Sequence, residues 1–554
     1  MQVRRLKAAV AVAAAVTLAA GLSSCAESDR GGDDTTKDRF VFGAAGAPSN
    51  FDPTFATDGE TFRVARQMYE TLIDHKPGTA EMAPALAESW EHSADGKEWT
   101  FKLRQGVKFH DGTDFNAEAV CFNFDRWYNL GAEAAQAQAQ YYLDVFGGFA
   151  KNSSPDFAKS LYDSCEAKDP QTAVVKLTGY AGKFPAAFTL TSLSMSSPTA
   201  LKQYDADNVT QEGESFNYPS YAMEHPTGTG PYKFVKYDEA NQTVTLVRND
   251  DYWGDKAKIK SLIFKVIPEE NARKQELRSG TIDGYDLPSP ADYKALKDEG
   301  FNLQIRDAFN ILYLGMNQKG PAKKLADIRV RKAIAHAVNR EQLVKTQLPE
   351  GAEVATQFMP ATVSGYAKDV ETYAYDPDKA KSLLKEAGAE GLTVKFYYPT
   401  EVTRPYMPNP KDIFQAISND LAQVGIKVEP VAEPWTQYLD TTAQTRKHDL
   451  HLLGWTGDFN YAGNFVGTFF GRPKMQFGDE GMKEMFDAFA KADATVDATA
   501  QTAAWEEINR RVVSEWLPAV PVSHSPPGIV VAKNVKGLVP SPLTSEDFST
   551  VYFE

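Results

Sequence analysis

The chain has 554 residues, 42% hydrophobic and 24% charged, with a formal net charge of −15. On a soft prior of roughly 150 residues each, that length holds two or three domains. The acidic balance excludes nucleic-acid binding through the surface field, and no stretch beyond the N-terminal region approaches the roughly 20 apolar residues of a membrane-spanning helix, so the body reads as soluble.

The N-terminus begins with basic residues Arg4, Arg5 and Lys7, followed by a run from Ala8 to Ala20 that is apolar except for Thr17. A short apolar core behind basic residues and ahead of small residues reads as a secretory signal. The small-residue site Leu22-Ser23-Ser24-Cys25 resembles a bacterial lipobox. Residues 1–24 are therefore expected to be a lipoprotein signal peptide, with Cys25 lipidated and first in the mature chain; an ordinary signal with a chance cysteine is the plain alternative. The removed residues carry three basic and no acidic side chains, so the mature charge would be −18. One acyl chain holds a protein only marginally, whereas two or three anchor it durably. Residues 25–38 hold no large apolar side chain beyond the cysteine and read as a disordered tether with a reach of roughly 20 Å. The expected location is extracytoplasmic, anchored to the outer face of the cell membrane, on the periplasmic side in a two-membrane envelope.

From Arg39 onward about 515 residues form the body. Ser93 to Lys97 supplies a turn, and Trp99 to Arg104 alternates apolar and polar side chains as a half-buried strand does. Cys121 and Cys165 are an even pair in an exported chain, which permits one disulfide; two buried free thiols are the alternative. Thr243 to Arg248 repeats the alternation. In the second half, Asp376-Pro377 gives an N-cap and an N1 proline, with an apolar stripe from Ala380 to Ala387 and a stop at Gly388. Leu392 to Tyr398 reads as a strand, Ile413 to Val424 as a helix ended by Gly425, and Ile426 to Val431 as the next strand. That order implies a right-handed parallel crossover, and Asp449 to Trp455 is expected in the same sheet. Ligands of open parallel sheets gather outside the carboxyl ends of the strands. Arg404 and Asp458 follow two such ends, and opposite charges on one rim can hold both ends of a zwitterion.

Several runs then recur in a known order: Met82 to Trp90, Asp95 to Arg104, Val107 to Gly112, Gly228 to Tyr232, Asp251 to Gly254, Asp327 to Ala333, and Gly454-Trp-Thr-Gly-Asp458. With them the chain resembles bacterial extracellular solute-binding proteins of family 5, the peptide and nickel class, over essentially the whole body. The resemblance implies an α/β, two-lobed (Venus-flytrap) periplasmic-binding-protein fold with an extra domain inserted in lobe I. It implies lobe I at 39–73, 187–309 and 524–554, the extra domain at 74–186 and lobe II at 310–523, with crossings near Asn310 to Asn317 and Val520 to Ser525. In dipeptide-binding members, the Arg of an Arg-Pro-Tyr motif takes the peptide carboxylate and the Asp of Gly-Trp-Thr-Gly-Asp takes the α-amine. Arg404-Pro405-Tyr406 and Gly454 to Asp458 match those motifs. Tyr406, Trp435, Trp455 and Thr456 are implied as pocket walls and backbone contacts, with ordinary core packing as the bland reading of Trp435. Implied partners are a small peptide and the permease and ATPase subunits of an ABC importer, with the binding protein a monomer. One departure stands out: where the family often continues Asp-Pro-Asp-Asn-Phe, this chain has Tyr461-Ala-Gly-Asn-Phe465, so the side-chain pocket is expected to differ.

An extracellular enzyme is the rival from another class, but the chain has no Gly-x-Ser-x-Gly elbow, no His-Glu-x-x-His and no phosphate loop. His448, Asp449 and His451 invite a metal, yet only Asp449 and His451 would share a face of a strand, and metal sites need three or four converging ligands. No catalytic residue, metal or cofactor is expected. Within the binding class, the alternatives to a short peptide are an oligosaccharide, a nickel chelate and haem.

Overall fold

Residues 37–213, 215–442, 447–467 and 482–554 are described by a computed structural model. The expected signal peptide, Cys25 and the tether up to residue 36 lie outside the described residues. The chain divides into Met1–Lys37 and a second unit, Asp38–Glu554, to which everything below refers.

Three sheets organise that unit. In the first, seven strands lie in the order Tyr232–Asp238, Thr243–Arg248, Ser261–Val266, Arg39–Ala44, Gly284–Asp286, Gly528–Val531 and Asn302–Ile305. Arg39–Ala44 is buried from Phe40 onward, as a strand covered on both faces must be, and pairs in parallel with Ser261–Val266 and Gly284–Asp286. The alternation of Thr243–Arg248 sends Val244 and Leu246 into the core. The second sheet runs Glu353–Val354, Ala519–His524, Asn310–Met316, Leu450–Thr456, Thr393–Thr400 and Lys427–Pro434. Thr393–Thr400 and Lys427–Pro434 are parallel along their whole length, joined by helix Pro410–Gln423, whose N-cap Asn409 accepts the Asp412 N–H. Gly425, at φ +84°, turns the chain out of that helix. Leu450–Thr456 joins Thr393–Thr400 in parallel, which is the crossover sheet that the punctuation predicts.

Between Arg39–Ala44 and Tyr232–Asp238 the chain makes a separate antiparallel sheet, ordered Ala87–His92, Glu98–Leu103, Thr172–Leu177 and Tyr162–Asp169. Helix Ala117–Tyr128 supplies Phe124 and Trp127 to a core shared with Phe101 and Phe188. The architecture is thus two α/β lobes, with an extra domain carried inside the chain of the first.

The chain passes between the two large sheets twice, between Ile305 and Asn310 and between His524 and Gly528. The expected crossings, near Asn310 to Asn317 and near Val520 to Ser525, adjoin these two passages; strand Asn310–Met316 begins where the first ends, and strand Ala519–His524 ends where the second begins. In the second passage Pro526 and Pro527 have no N–H to continue a ladder. The Asn310 side chain ties the two passages together, donating to the Ser525 carbonyl at 2.7 Å and accepting the Ser525 N–H at 3.0 Å.

Cys121 on helix Ala117–Tyr128 and Cys165 on strand Tyr162–Asp169 are bonded, with their Cα atoms 5.1 Å apart and a sequence separation of 44. A closed loop of that size stabilises by about 2–4 kcal/mol. Replacing both cysteines by serine should lower the unfolding free energy by that amount in a urea titration, and two free thiols in unreduced, denatured wild type would contradict the bridge.

Candidate ligand-binding site

Strands Thr393–Thr400 and Leu450–Thr456 are parallel neighbours, so their carboxyl ends share one rim. Arg404 lies just beyond the first, in a tight turn closed by Arg404 N–H to the Met407 carbonyl at 3.1 Å and Met407 N–H to the Arg404 carbonyl at 2.9 Å. The turn drives Tyr406 into the core against Gly454; a Cβ at Gly454 would sit 2.4 Å from the Tyr406 ring. The Arg404 guanidinium lies over the Trp435 ring, 4.4 Å from its centroid. Trp435 is half-buried at the start of helix Trp435–Asp440, directly after strand Lys427–Pro434, and its ring stacks toward Tyr438. Arg404 makes no ion pair among the described residues.

Asp458 follows the second strand end. Asn464 fixes it twice, accepting the Asp458 N–H at 2.9 Å and donating to its Oδ2 at 3.2 Å. The same Asn464 oxygen accepts Trp455 Nε1–H at 3.2 Å, and the Tyr141 hydroxyl donates to Asp458 Oδ1 at 3.2 Å. Thus Asn464, the residue retained in the departing Tyr461-to-Phe465 run, still orients both Trp455 and Asp458. Desolvation pushes the Asp458 carboxyl up to about 6, against the pull of Asn464, Tyr141 and the Arg66 charge. No cation pairs with it among the described residues. Thr456 ends the strand opposite Asn310 and holds its hydroxyl buried without a hydrogen-bond partner there.

Asp458 lines two cavities, one of ≈120 Å³ with Phe62, Arg66 and Glu70, the other of ≈300 Å³ with Tyr141, Lys183 and Trp455. Arg404 lines a third, of ≈180 Å³, with Tyr293 and Pro527 of the first lobe. The structure therefore groups Asp458 with Trp455, and Arg404 with Trp435, and each charge faces the first lobe or its inserted domain; the two do not share one cavity. Asp449, singled out beside His448 and His451, spends its oxygens on the Ala322 and Lys395 amides at 2.7 and 2.8 Å, a structural role.

Tyr141, Lys183, Arg66 and Glu70 escape sequence reasoning. Glu70 had a signal: its carboxylate accepts Thr229 Oγ1–H at 2.7 Å, Tyr252 O–H at 2.8 Å and Trp253 Nε1–H at 2.9 Å. Those donors come from the recurring runs Gly228 to Tyr232 and Asp251 to Gly254, so two separate runs converge on one acid. Burial pushes Glu70 up to about 7, ahead of the opposing pull of the three hydrogen bonds.

Residues 81–477 match the family described as bacterial extracellular solute-binding proteins, family 5 Middle. The chain belongs to this family. Among its relatives, the dipeptide-binding protein of Escherichia coli K12 is 33% identical, the match covering 93% of this chain and 94% of the relative. The heme-binding protein A of Haemophilus influenzae is 29% identical, covering 98% of each chain. A solved dipeptide-binding protein from Pseudoalteromonas sp. SM9913, in complex with Met-Leu, superposes with a TM-score of 0.78 at 25% identity, over 93% of this chain and 100% of that one. The family 5 fold accounts for the two lobes and the inserted domain.

The raised Glu70 gives a pH signature. Its folded-state pKa, about 7, lies above the usual 4.5, so the folded state holds the proton more tightly and its stabilising effect is lost as pH rises from about 4.5 through about 7. Urea unfolding at pH 5 and pH 8 should show wild type losing stability over that interval, and Glu70→Gln should flatten the loss. An unchanged slope in the variant would contradict this assignment.

Proposed function

We propose that this family 5 protein is the lipid-anchored binding component of an ABC importer and captures dipeptides or short oligopeptides by their two charged ends. The observation that carries the reading is that Arg404 and Asp458 stand beyond adjacent parallel strands on one rim, with neither in an ion pair among the described residues. Opposite charges left without ion-pair partners on one rim await a ligand that carries both. Arg404 would take the carboxylate in a bidentate bond, with Trp435 behind the guanidinium, and Asp458 the α-ammonium, oriented by Asn464. Tyr406, Trp455 and Thr456 would form the walls. A peptide gains only about 3.3–3.6 Å per residue, so fixed end clamps also measure ligand length. Closure by a hinge between lobe I (39–73, 187–309, 524–554) and lobe II (310–523) would expel water from the clamps. Relatives that bind dipeptides support the peptide class. Family membership supports an extracytoplasmic, non-enzymatic role, delivering solute to permease and ATPase partners.

Removing one partner of a buried, hydrogen-bonded charge pair costs about 2–5 kcal/mol, and about 1.4 kcal/mol is tenfold in affinity. Calorimetry should therefore show Arg404→Ala and Asp458→Asn weakening dipeptide binding by about tenfold or more, with a C-terminal amide mimicking the first loss and N-acetylation the second. Since protonation below about 6 removes the Asp458 charge, wild-type affinity should fall as pH drops through 6 and the Asn variant should lack that step. End-blocked ligands binding as well as free ones would overturn the clamp in favour of haem, a sugar or a chelate.

The anchor has its own test: Cys25→Ala should move the protein from the membrane fraction into the medium or periplasm. A variant that stays membrane-bound would contradict lipidation at Cys25.

A further inference from the structure

The ≈300 Å³ cavity beside Asp458 is lined by aromatic rings, including Trp455, Phe459, Phe486 and Trp505, by Asp144 and Asp493, and by Lys183 of the inserted domain. Lys183 reaches this place on the segment that follows strand Thr172–Leu177, and the backbone beside it is pinned. Gly182 N–H donates to the Asp493 carbonyl at 2.7 Å. A Cβ at Gly182 would lie 1.8 Å from Gln501 Nε2 and 2.8 Å from the Tyr461 hydroxyl, so a larger residue there would have to displace those side chains. Gln501 is itself held by the carbonyls of Ala492 at 3.3 Å and Thr495 at 3.1 Å.

The ammonium so placed is under-partnered. It makes one hydrogen bond, to the Asp144 carbonyl at 2.6 Å, although an ammonium carries three donors. No carboxylate lies within ion-pair distance of it among the described residues. Asp493 attracts it from further off and has Oδ1 engaged by the Tyr461 hydroxyl at 2.7 Å. Burial pushes the Lys183 pKa down, the response of a cation short of compensation.

We infer that Lys183 is a specificity-determining residue that reads an anionic side chain on the first residue of the ligand. The inference rests on the peptide-clamp reading: if Asp458 takes the α-ammonium, the first side chain leaves from the adjacent carbon into the cavity that Asp458 and Lys183 share. Aromatic walls alone favour an apolar side chain there. A glutamate carboxylate supplies the partner that Lys183 lacks, through a charge-assisted bond, whereas the isosteric glutamine offers only a dipole.

Calorimetry with Glu-Ala and Gln-Ala on wild type, Lys183→Met and Lys183→Arg separates these effects. Wild type should bind Glu-Ala about tenfold more tightly than Gln-Ala, the Met variant should abolish that ratio while keeping its affinity for Gln-Ala, and the Arg variant should restore it. Wild type binding Gln-Ala at least as tightly as Glu-Ala would overturn this inference alone, as would a Met variant that weakens both ligands equally. Wild type binding neither dipeptide would overturn the clamp reading, and this inference with it.

Discussion

Arg306 sits where the chain leaves the first sheet, fully buried, and its guanidinium holds acids from two distant parts of the same lobe. Nη1 donates to Asp286 at 2.7 Å and Nε to Glu546 at 2.6 Å, while Arg63 reaches Asp286 from helix Gly59–Met68 at 2.5 Å. Burial alone would raise the Asp286 pKa, but the two guanidinium groups outweigh it and hold the carboxyl below its usual range. The backbone N–H of Arg306 takes the Pro527 carbonyl at 3.0 Å, which fastens the outgoing passage to the returning one. Removing one member of such a buried set leaves the others uncompensated, a loss of about 3–5 kcal/mol. With both passages tied at one place, any rotation of one sheet against the other has to be absorbed by the few residues 306–309 and 525–527.

The charges of the rim stand in contrast. Where the inserted domain meets the first lobe, Arg126 is paired with Asp52 and Asp207, each at 2.7 Å, as Arg306 is with its two acids. Around the cleft, Arg404, Asp458 and Lys183 have hydrogen bonds or an aromatic face but no ion pair among the described residues. These three charges stand at separate cavities, Asp458 and Lys183 at one and Arg404 at another, and in the proposed reading a ligand compensates them. The raised carboxyl of Asp458 is the same imbalance expressed as proton affinity.

The crossover sheet was legible because local chemistry marks it. Asp376, Pro377 and Gly388, then the stripe from Ile413 to Val424 and its stop at Gly425, mark two helices, and the apolar runs between them have nowhere to go but a sheet. Strand Thr393–Thr400 runs past the expected end at Tyr398 because its pairing with Lys427–Pro434 continues through Pro399, and Pro430 is tolerated because its strand is an edge. The placement of Arg404 and Asp458 just beyond strand ends was readable from the same logic, since strand ends of a parallel sheet are local facts. Their unequal surroundings were not: Tyr141 meets Asp458 across 317 residues of sequence, and Lys183 enters the cavity only because Gly182 packs against Gln501 and Tyr461. The crossings were legible only to their neighbourhood, because strand pattern shows where a ladder runs, while Asn310, Ser525 and the two prolines decide where it stops.

The most direct check on ligand capture needs no variant. The protein purified from its own cells, denatured gently and examined by mass spectrometry for the small molecules it releases, should yield peptides of two or three residues with free amino and carboxyl ends. Release of haem, a sugar, a metal chelate or end-blocked peptides in their place would contradict the zwitterion clamp.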